Sequence, residues 1–218
     1  AKQSWSNGKV GTRGCSSTAE WQLALAGQNH PAHAAMVPQS SGAGIGKVGE
    51  FQEQGNWYTG GVPRNLFFVW LYGVDNPLRA QPPKGLDSKT IARLAKYNDL
   101  EAKKPEVNWP TQIRHLPVNE MLQDLGEPKG TFEELINRDG PADPAWRKGG
   151  LYHDDKGWGV PALWFNSWYD VSIGPNMALF NHARAVKSDK EASDNQYAIV
   201  TPSNHCGFNA RVLQAPYK

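Results

Sequence analysis

Cysteine is scarce in this chain, with two among 218 residues, which excludes a disulfide framework and the paired thiol spacing of a zinc site. Long apolar runs are missing as well. The longest, residues 66–72, is far short of the ~20 residues that cross a bilayer, and no signal peptide is visible at Ala1, so no membrane partner is expected. With 23 Lys and Arg against 21 Asp and Glu the net charge is +2, which argues against a nucleic-acid binder and against a disordered polyelectrolyte. His30, His33, His115, His153 and His182 fall into no spacing of the H-E-x-x-H kind, so neither metal nor cofactor is expected. Gly42-Ala43-Gly44-Ile45-Gly46-Lys47 lacks the first glycine, the spacing and the following Ser or Thr of a phosphate loop and reads as a flexible connection.

What is present is an ordinary globular composition, 39% hydrophobic and 20% charged, in a chain long enough to bury a core as one domain. Nine tryptophans and seven tyrosines offer either core packing or aromatic walls around a site. Trp57, Tyr58 and Trp168 are candidates for the second role.

Lys9-Val10-Gly11-Thr12 is a β-like run that breaks into Gly14-Cys15-Ser16-Ser17, and residues 18–26 read as a helix. Residues 33–37 predict the next parallel strand, closed by Pro38. From 63 to 146 the pattern is helical, with Ser88 as an N-cap and Thr131 with Glu134 as a capping box. Sheet character returns at 160–165, ahead of Trp168-Tyr169-Asp170. Pro175 opens a helix at its first position, and 197–200 is a last strand running into Pro202-Ser203-Asn204-His205-Cys206. The expectation is an α/β fold with a parallel sheet and helices on both faces. Residues 1–62 and 147–218 would form its core, and 63–146 an inserted helical cap.

Ser16 stands on a turn between strand and helix, where the N–H of Ser17 and the positive helix end face one small volume. Charge developing on an oxygen is stabilised in such a place. Thr18 stands where the G-x-S-x-G pattern has glycine. Asp170 and His205 each lie just past the end of a predicted strand, the edge at which open α/β sheets gather reactive groups. A serine needs a base, and the base a carboxylate to orient it. The chain order Ser, Asp, His is that of α/β-hydrolases. Cys15 adjoins Ser16 and Cys206 adjoins His205, so convergence of the three would bring the two sulfurs together as a disulfide or a thiol pair.

Trp5-Ser6-Asn7-Gly8-Lys9-Val10-Gly11-Thr12-Arg13-Gly14-Cys15-Ser16 resembles the W-x-x-G-x-V-G-x-x-G-x-S segment of the cocaine-esterase, α-amino-acid ester hydrolase and X-prolyl dipeptidyl peptidase family of α/β-hydrolases. His30-Pro31-Ala32-His33 through Pro38, Asp143-Pro144-Ala145-Trp146, Val160-Pro161-Ala162-Leu163 with Trp168-Tyr169-Asp170, and Pro202-Ser203-Asn204-His205 are similar to further segments of that family. The resemblance implies Ser16 as nucleophile, Asp170 as acid, His205 as base and the Ser17 amide as an oxyanion donor. It implies ester hydrolysis through an acyl-enzyme, with an X-prolyl dipeptidyl aminopeptidase and a truncated non-catalytic binding protein as alternatives. The substrate would be a small ester or acyl compound. Glu50 and Glu53 are either carboxylates for an amino-acyl ammonium group or solvated surface charge. Two departures stand out. Arg13 occupies a strand position where an apolar residue is usual, costly if buried unpaired. The family's earlier strands, with the loop carrying a second oxyanion donor, have no counterpart, so a fragment, or a chain completed by another chain or by a homo-oligomer, is expected.

Overall fold

The computed structural model describes residues 2–41, 45–49, 51–52, 58–59, 62–74, 83–95, 106–138, 140, 142–148 and 150–207. They fall into two compact units, Ala1–Val62 with Asp139–Lys218, and Pro63–Arg138. Residues 139–146, which the sequence pattern assigned to the insertion, belong to the first unit. There Trp146 is buried and its carbonyl accepts a hydrogen bond from Nε2 of the buried His153 at 3.2 Å.

In chain order the first unit contains β1 (Val10–Cys15), α1 (Ser17–Ala26) and β2 (His33–Gln39), then two small ladders, β3 (Lys47–Val48) with β4 (Phe51–Gln52) and β5 (Tyr58–Thr59) with β6 (Val62–Pro63), whose second residue is the first of the other unit. The second unit holds α2 (Asn65–Val74), α3 (Ser88–Ala95), α4 (Trp109–Gln112) and α5 (Thr131–Ile136). The chain then returns to the first unit for β7 (Ala162–Ser167), α6 (Ile173–Ala185), α7 (Lys190–Asp194) and β8 (Gln196–Thr201). Strands β1, β2, β7 and β8 form one parallel sheet in that order. This is the α/β-hydrolase-like sheet expected from the strand and helix alternation.

The sheet is built on one buried row. Met36 of β2 stands beside Ala162 of β7, and these, with Trp164, pack against Leu23 and Ala26 of α1 and Leu179, Phe180 and Ala183 of α6 in a single cluster. Burying a side chain of Leu size contributes about 1.5–3 kcal/mol, so the cluster dominates the stability of this unit. Its polar atoms are satisfied: Trp164 Nε1 donates to Gln196 Oε1 at 2.9 Å, and Gln196 Nε2 donates to the Val160 carbonyl at 2.8 Å. Helices on both faces were expected, yet α1 and α6 lie on the same one. Each crossover joins neighbouring strands that progress in the same direction, and right-handed connections then deliver both helices to one side. The opposite row, Ala35, Val37, Leu163, Phe165, Tyr197 and Ile199, is half-buried or exposed. Arg13 is exposed too, so its charge carries no burial cost.

Several boundaries moved for local reasons. Strand β2 continues through Pro38, which pairs with Gly14 of β1. On the other side, Met36 N donates to the Pro161 carbonyl and Ser40 N to the Phe165 carbonyl. Pro38, lying between them, has no N–H to give. Helix α6 starts at Ile173, so Pro175 is its third residue rather than its first, still within the turn whose N–H groups have no helical acceptor.

In the Pro63–Arg138 unit every described element beyond Pro63 is helical, with Phe68 and Phe132 in edge contact at 4.9 Å between ring centres. Helix α3 is capped by Asp87, whose Oδ1 accepts from Thr90 N at 2.9 Å, and not by Ser88. The carboxylate in the first turn of α5 that reaches back to the chain is Glu133, accepting from Gly130 N at 2.7 Å, one residue earlier than the Glu134 of the expected Thr131 and Glu134 pairing. Among the described residues no helix is long and apolar enough to cross a membrane.

Candidate active site

Three strands end at the same edge, and each carries one of the candidate residues past its last position: Ser16 after β1, Asp170 after β7 and His205 after β8. Ser16 has φ 59 and ψ −129, a backbone conformation that costs a non-glycine residue about 1–3 kcal/mol. It is held there from both sides. Its N–H donates to the Gln39 carbonyl at 3.0 Å, and its own carbonyl accepts from Ala19 N at 2.8 Å and Glu20 N at 3.0 Å, the first bonds of α1. The sharp turn needs glycine at 14. A Cβ there would lie 2.3 Å from Thr18 Oγ1 and 2.7 Å from Thr18 Cβ. Thr18 is tolerated in place of the motif's second glycine because Gly14 leaves it room, and its hydroxyl donates to the Cys15 carbonyl at 2.7 Å.

Asp170 is stitched into place by the tips of β7 and β8. Trp168 N donates to the Thr201 carbonyl at 2.8 Å and Tyr169 N to the Ser203 carbonyl at 3.1 Å. Beneath them the Ser203 hydroxyl donates to Ser167 Oγ at 2.9 Å. The Asp170 carboxylate is buried, and its Oδ1 accepts from both the N–H and the hydroxyl of Ser172, at 3.0 and 2.9 Å. Ser172 had not been singled out from sequence. Its signal is Asp-x-Ser just ahead of a helix, a pattern in which a side-chain oxygen takes the N–H two residues on. Asn176 extends the support, donating through Nδ2 to the carbonyls of Ser41 and Ser172 at 2.9 and 2.8 Å.

His205 joins the two ends. Its Nδ1 lies 2.8 Å from Asp170 Oδ2 and its Nε2 lies 2.9 Å from Ser16 Oγ. A carboxylate only accepts, so the proton sits on Nδ1, and the bare Nε2 faces the serine hydroxyl. The hydrogen bond to Asp170 raises the His205 pKa above its ordinary value against the opposing effect of burial, and the negative charges of Asp170 and Glu20 add to the rise. For Asp170 burial alone would raise the pKa. Hydrogen bonds from His205 and Ser172, together with the His205 charge, outweigh it and hold the carboxyl below its usual range.

Ser17 is the first residue of α1, and its N–H has no acceptor within the helix. Cys15 and Cys206 are joined by a disulfide, with Cα atoms 5.9 Å apart. Of the aromatic candidates, Trp168 is exposed on the turn before Asp170, and Tyr58 is half-buried in β5. Glu50, Glu53 and Trp57 lie outside the described residues. Among those described, no group of three or more His, Cys, Asp or Glu side chains is placed to hold a metal ion.

The family model for X-Pro dipeptidyl-peptidases of the S15 family matches residues 1–207. The chain belongs to that family. An S15-family chain is hydrolytic, a serine hydrolase of the X-Pro peptidase and esterase type. No curated protein compared with this S15-family chain matches it.

Proposed function

We propose that the chain hydrolyses carboxylic esters by acyl transfer, with Ser16 as nucleophile, His205 as general base and then acid, and Asp170 as the carboxylate that orients the imidazole. The observation that carries this reading is the continuous row from Asp170 Oδ2 through His205 to Ser16 Oγ, with both gaps under 3 Å. In the first half-reaction Nε2 takes the serine proton as Oγ attacks the carbonyl carbon. Asp170 stabilises the imidazolium, which returns the proton to the departing alcohol. Water then repeats the cycle and frees the acid. The Ser17 N–H, at the positive end of α1, is assigned the oxyanion. Each such donor is worth about 10²–10³ in turnover.

A fluorophosphonate probe tests the nucleophile directly. Labelling of the native protein that disappears in Ser16→Ala supports the reading, and a folded protein that does not label sinks it in favour of a binding role. The second reading is cleavage of Xaa-Pro from a free N-terminus, favoured by the description of the matching family. Comparing a nitrophenyl ester with a Xaa-Pro anilide separates the two, since turnover of the anilide alone overturns the esterase assignment. Trp168 and Tyr58, with Glu50 and Trp57, are assigned to substrate contact. Alanine in their place should raise KM more than it lowers kcat. The Pro63–Arg138 unit is proposed as an inserted cap. Exchanging it for a short linker should change substrate preference and spare probe labelling.

A further inference from the structure

The histidine tip is held by few links. Up to Ser203 the chain after β8 is anchored by the Ser203 carbonyl, which accepts from Tyr169 N, and by the Ser203 hydroxyl on Ser167. Beyond it, residues 204–207 close on themselves through Gly207 N to the Asn204 carbonyl at 3.0 Å. Among the described residues three links tie this tip to the rest of the protein. They are His205 to Asp170, His205 to Ser16, and the disulfide from Cys206 to Cys15.

The first two belong to the reacting row. The bond to Ser16 must be broken and remade whenever the proton moves, so it cannot set its own distance. The bond to Asp170 fixes one ring nitrogen but leaves the tip free to rock about it. The disulfide is the one link indifferent to the proton. It joins the residue before Ser16 to the residue after His205, bridging 191 positions of sequence. Both neighbourhoods hold an uncommon backbone: Ser16 at φ 59 and Cys206 at φ 57 are left-handed non-glycine residues that persist only where the surroundings over-determine them.

We infer that Cys15 and Cys206 are positioning residues for the base, their bridge setting the approach of His205 Nε2 to Ser16 Oγ, and that opening the bridge with a dithiol slackens the approach and lowers turnover reversibly. This rests on the serine-hydrolase reading above. Cys206 is exposed and so open to attack. A dithiol thiolate displaces one cysteine sulfur to form a mixed disulfide. The second thiol of the reagent then displaces the other, closing the reagent into its own cyclic disulfide. Two electrons and two protons pass to the protein, leaving thiols at Cys15 and Cys206.

The test compares oxidised protein with protein reduced by dithiothreitol, its two thiols counted by mass after alkylation of a sample and its fold checked by far-UV circular dichroism. The expected result is a kcat on a nitrophenyl ester lower by about 10–100-fold, the scale of a 1 Å misplacement. KM should change by less than about twofold, since ground-state binding is untouched, and reoxidation should restore the rate. A Cys15→Ala/Cys206→Ala variant should match the reduced protein and ignore the dithiol. Joining the reduced thiols through one methylene group should restore turnover that no longer responds to dithiol. Equal rates with two free thiols counted overturn the inference. So does loss of the circular dichroism signal on reduction, which would make the bridge a staple of the fold. An oxidised protein that neither labels nor hydrolyses ester defeats the serine-hydrolase reading itself, which distinguishes that failure from an active enzyme insensitive to reduction.

Discussion

Asp170 and Ser16 stand at opposite ends of one hydrogen-bonded row, yet the protein holds them by different means. The acid is buried. Backbone bonds between the tips of β7 and β8 place it, and the N–H and hydroxyl of Ser172 take one of its oxygens. The serine sits on a strained turn, with the base beside it on an exposed tip fastened by a disulfide. The difference fits the role proposed for each group. A carboxylate that keeps its charge can be locked in a dry site if enough donors surround it. A hydroxyl and an imidazole that exchange a proton and meet substrate have to remain reachable.

The comparison breaks most completely at the serine end, where Ser16→Ala should lower kcat by about 10⁶-fold and abolish fluorophosphonate labelling. At the acid end Asp170→Asn should cost about 10⁴-fold in kcat, because an amide can present its N–H to Nδ1 and favour the wrong tautomer. The same variant changes the pH profile. As the proposed base, His205 must be neutral, and its pKa is raised by Asp170, so kcat/KM of the native protein should fall as pH drops through a value above about 6.5. In Asp170→Asn that midpoint should move to lower pH.

Stability runs the other way. A raised His205 stabilises the fold fully below its unfolded pKa of about 6.5, and that contribution is lost as pH rises through the folded value. A lowered Asp170 stabilises it above its unfolded pKa of about 3.9, and that contribution is lost as pH falls through the folded value. The gap in Tm between native protein and Asp170→Asn should therefore be widest between about pH 4 and 6.5. A gap that is flat with pH would refute the coupling.

Smaller changes sharpen the contrast. Gly14→Ala forces a Cβ onto Thr18 and should destabilise the protein by about 1–3 kcal/mol in urea unfolding, with a loss of labelling rate because the turn that carries Ser16 moves. Ser172→Ala removes one of two donors to Asp170 Oδ1. It should lower kcat by less than about tenfold, while the Asp170 pKa, read by NMR titration, moves up. Arg13→Ala lies at an exposed strand position and should change stability by less than about 0.5 kcal/mol.

Much of the site was legible from local pattern. Ser16, Asp170 and His205 each follow a strand that β-branched or aromatic residues announce, and their order along the chain constrains how a parallel sheet can bring them together. What local pattern missed has a common cause, since it depends on neighbours distant in sequence. Pro38 looked like the end of a strand, but a proline ends a strand only if its missing N–H is needed, and β2 spends that vacancy at one position against β7. Arg13 looked costly under a buried strand and is exposed. Helices were expected on both faces, whereas crossover handedness sends α1 and α6 to one. Asp87 and Glu133 displaced the caps first assigned because several oxygens stood within reach of each helix start, and one-residue differences in backbone direction decide among them.

The sequence by itself determined which serine, aspartate and histidine follow the strand ends, the strand-turn-helix that carries the serine, and the placing of each cysteine beside Ser16 or His205. These are properties of short segments, set by backbone sterics and side-chain chemistry. The tertiary structure alone decided that Asp170 and His205, 35 positions apart, lie within 2.8 Å, that His205 reaches across 189 positions to Ser16, and that Ser172 completes the carboxylate's shell. Those distances depend on the register and twist of four strands packed on one core, and no single segment contains that information.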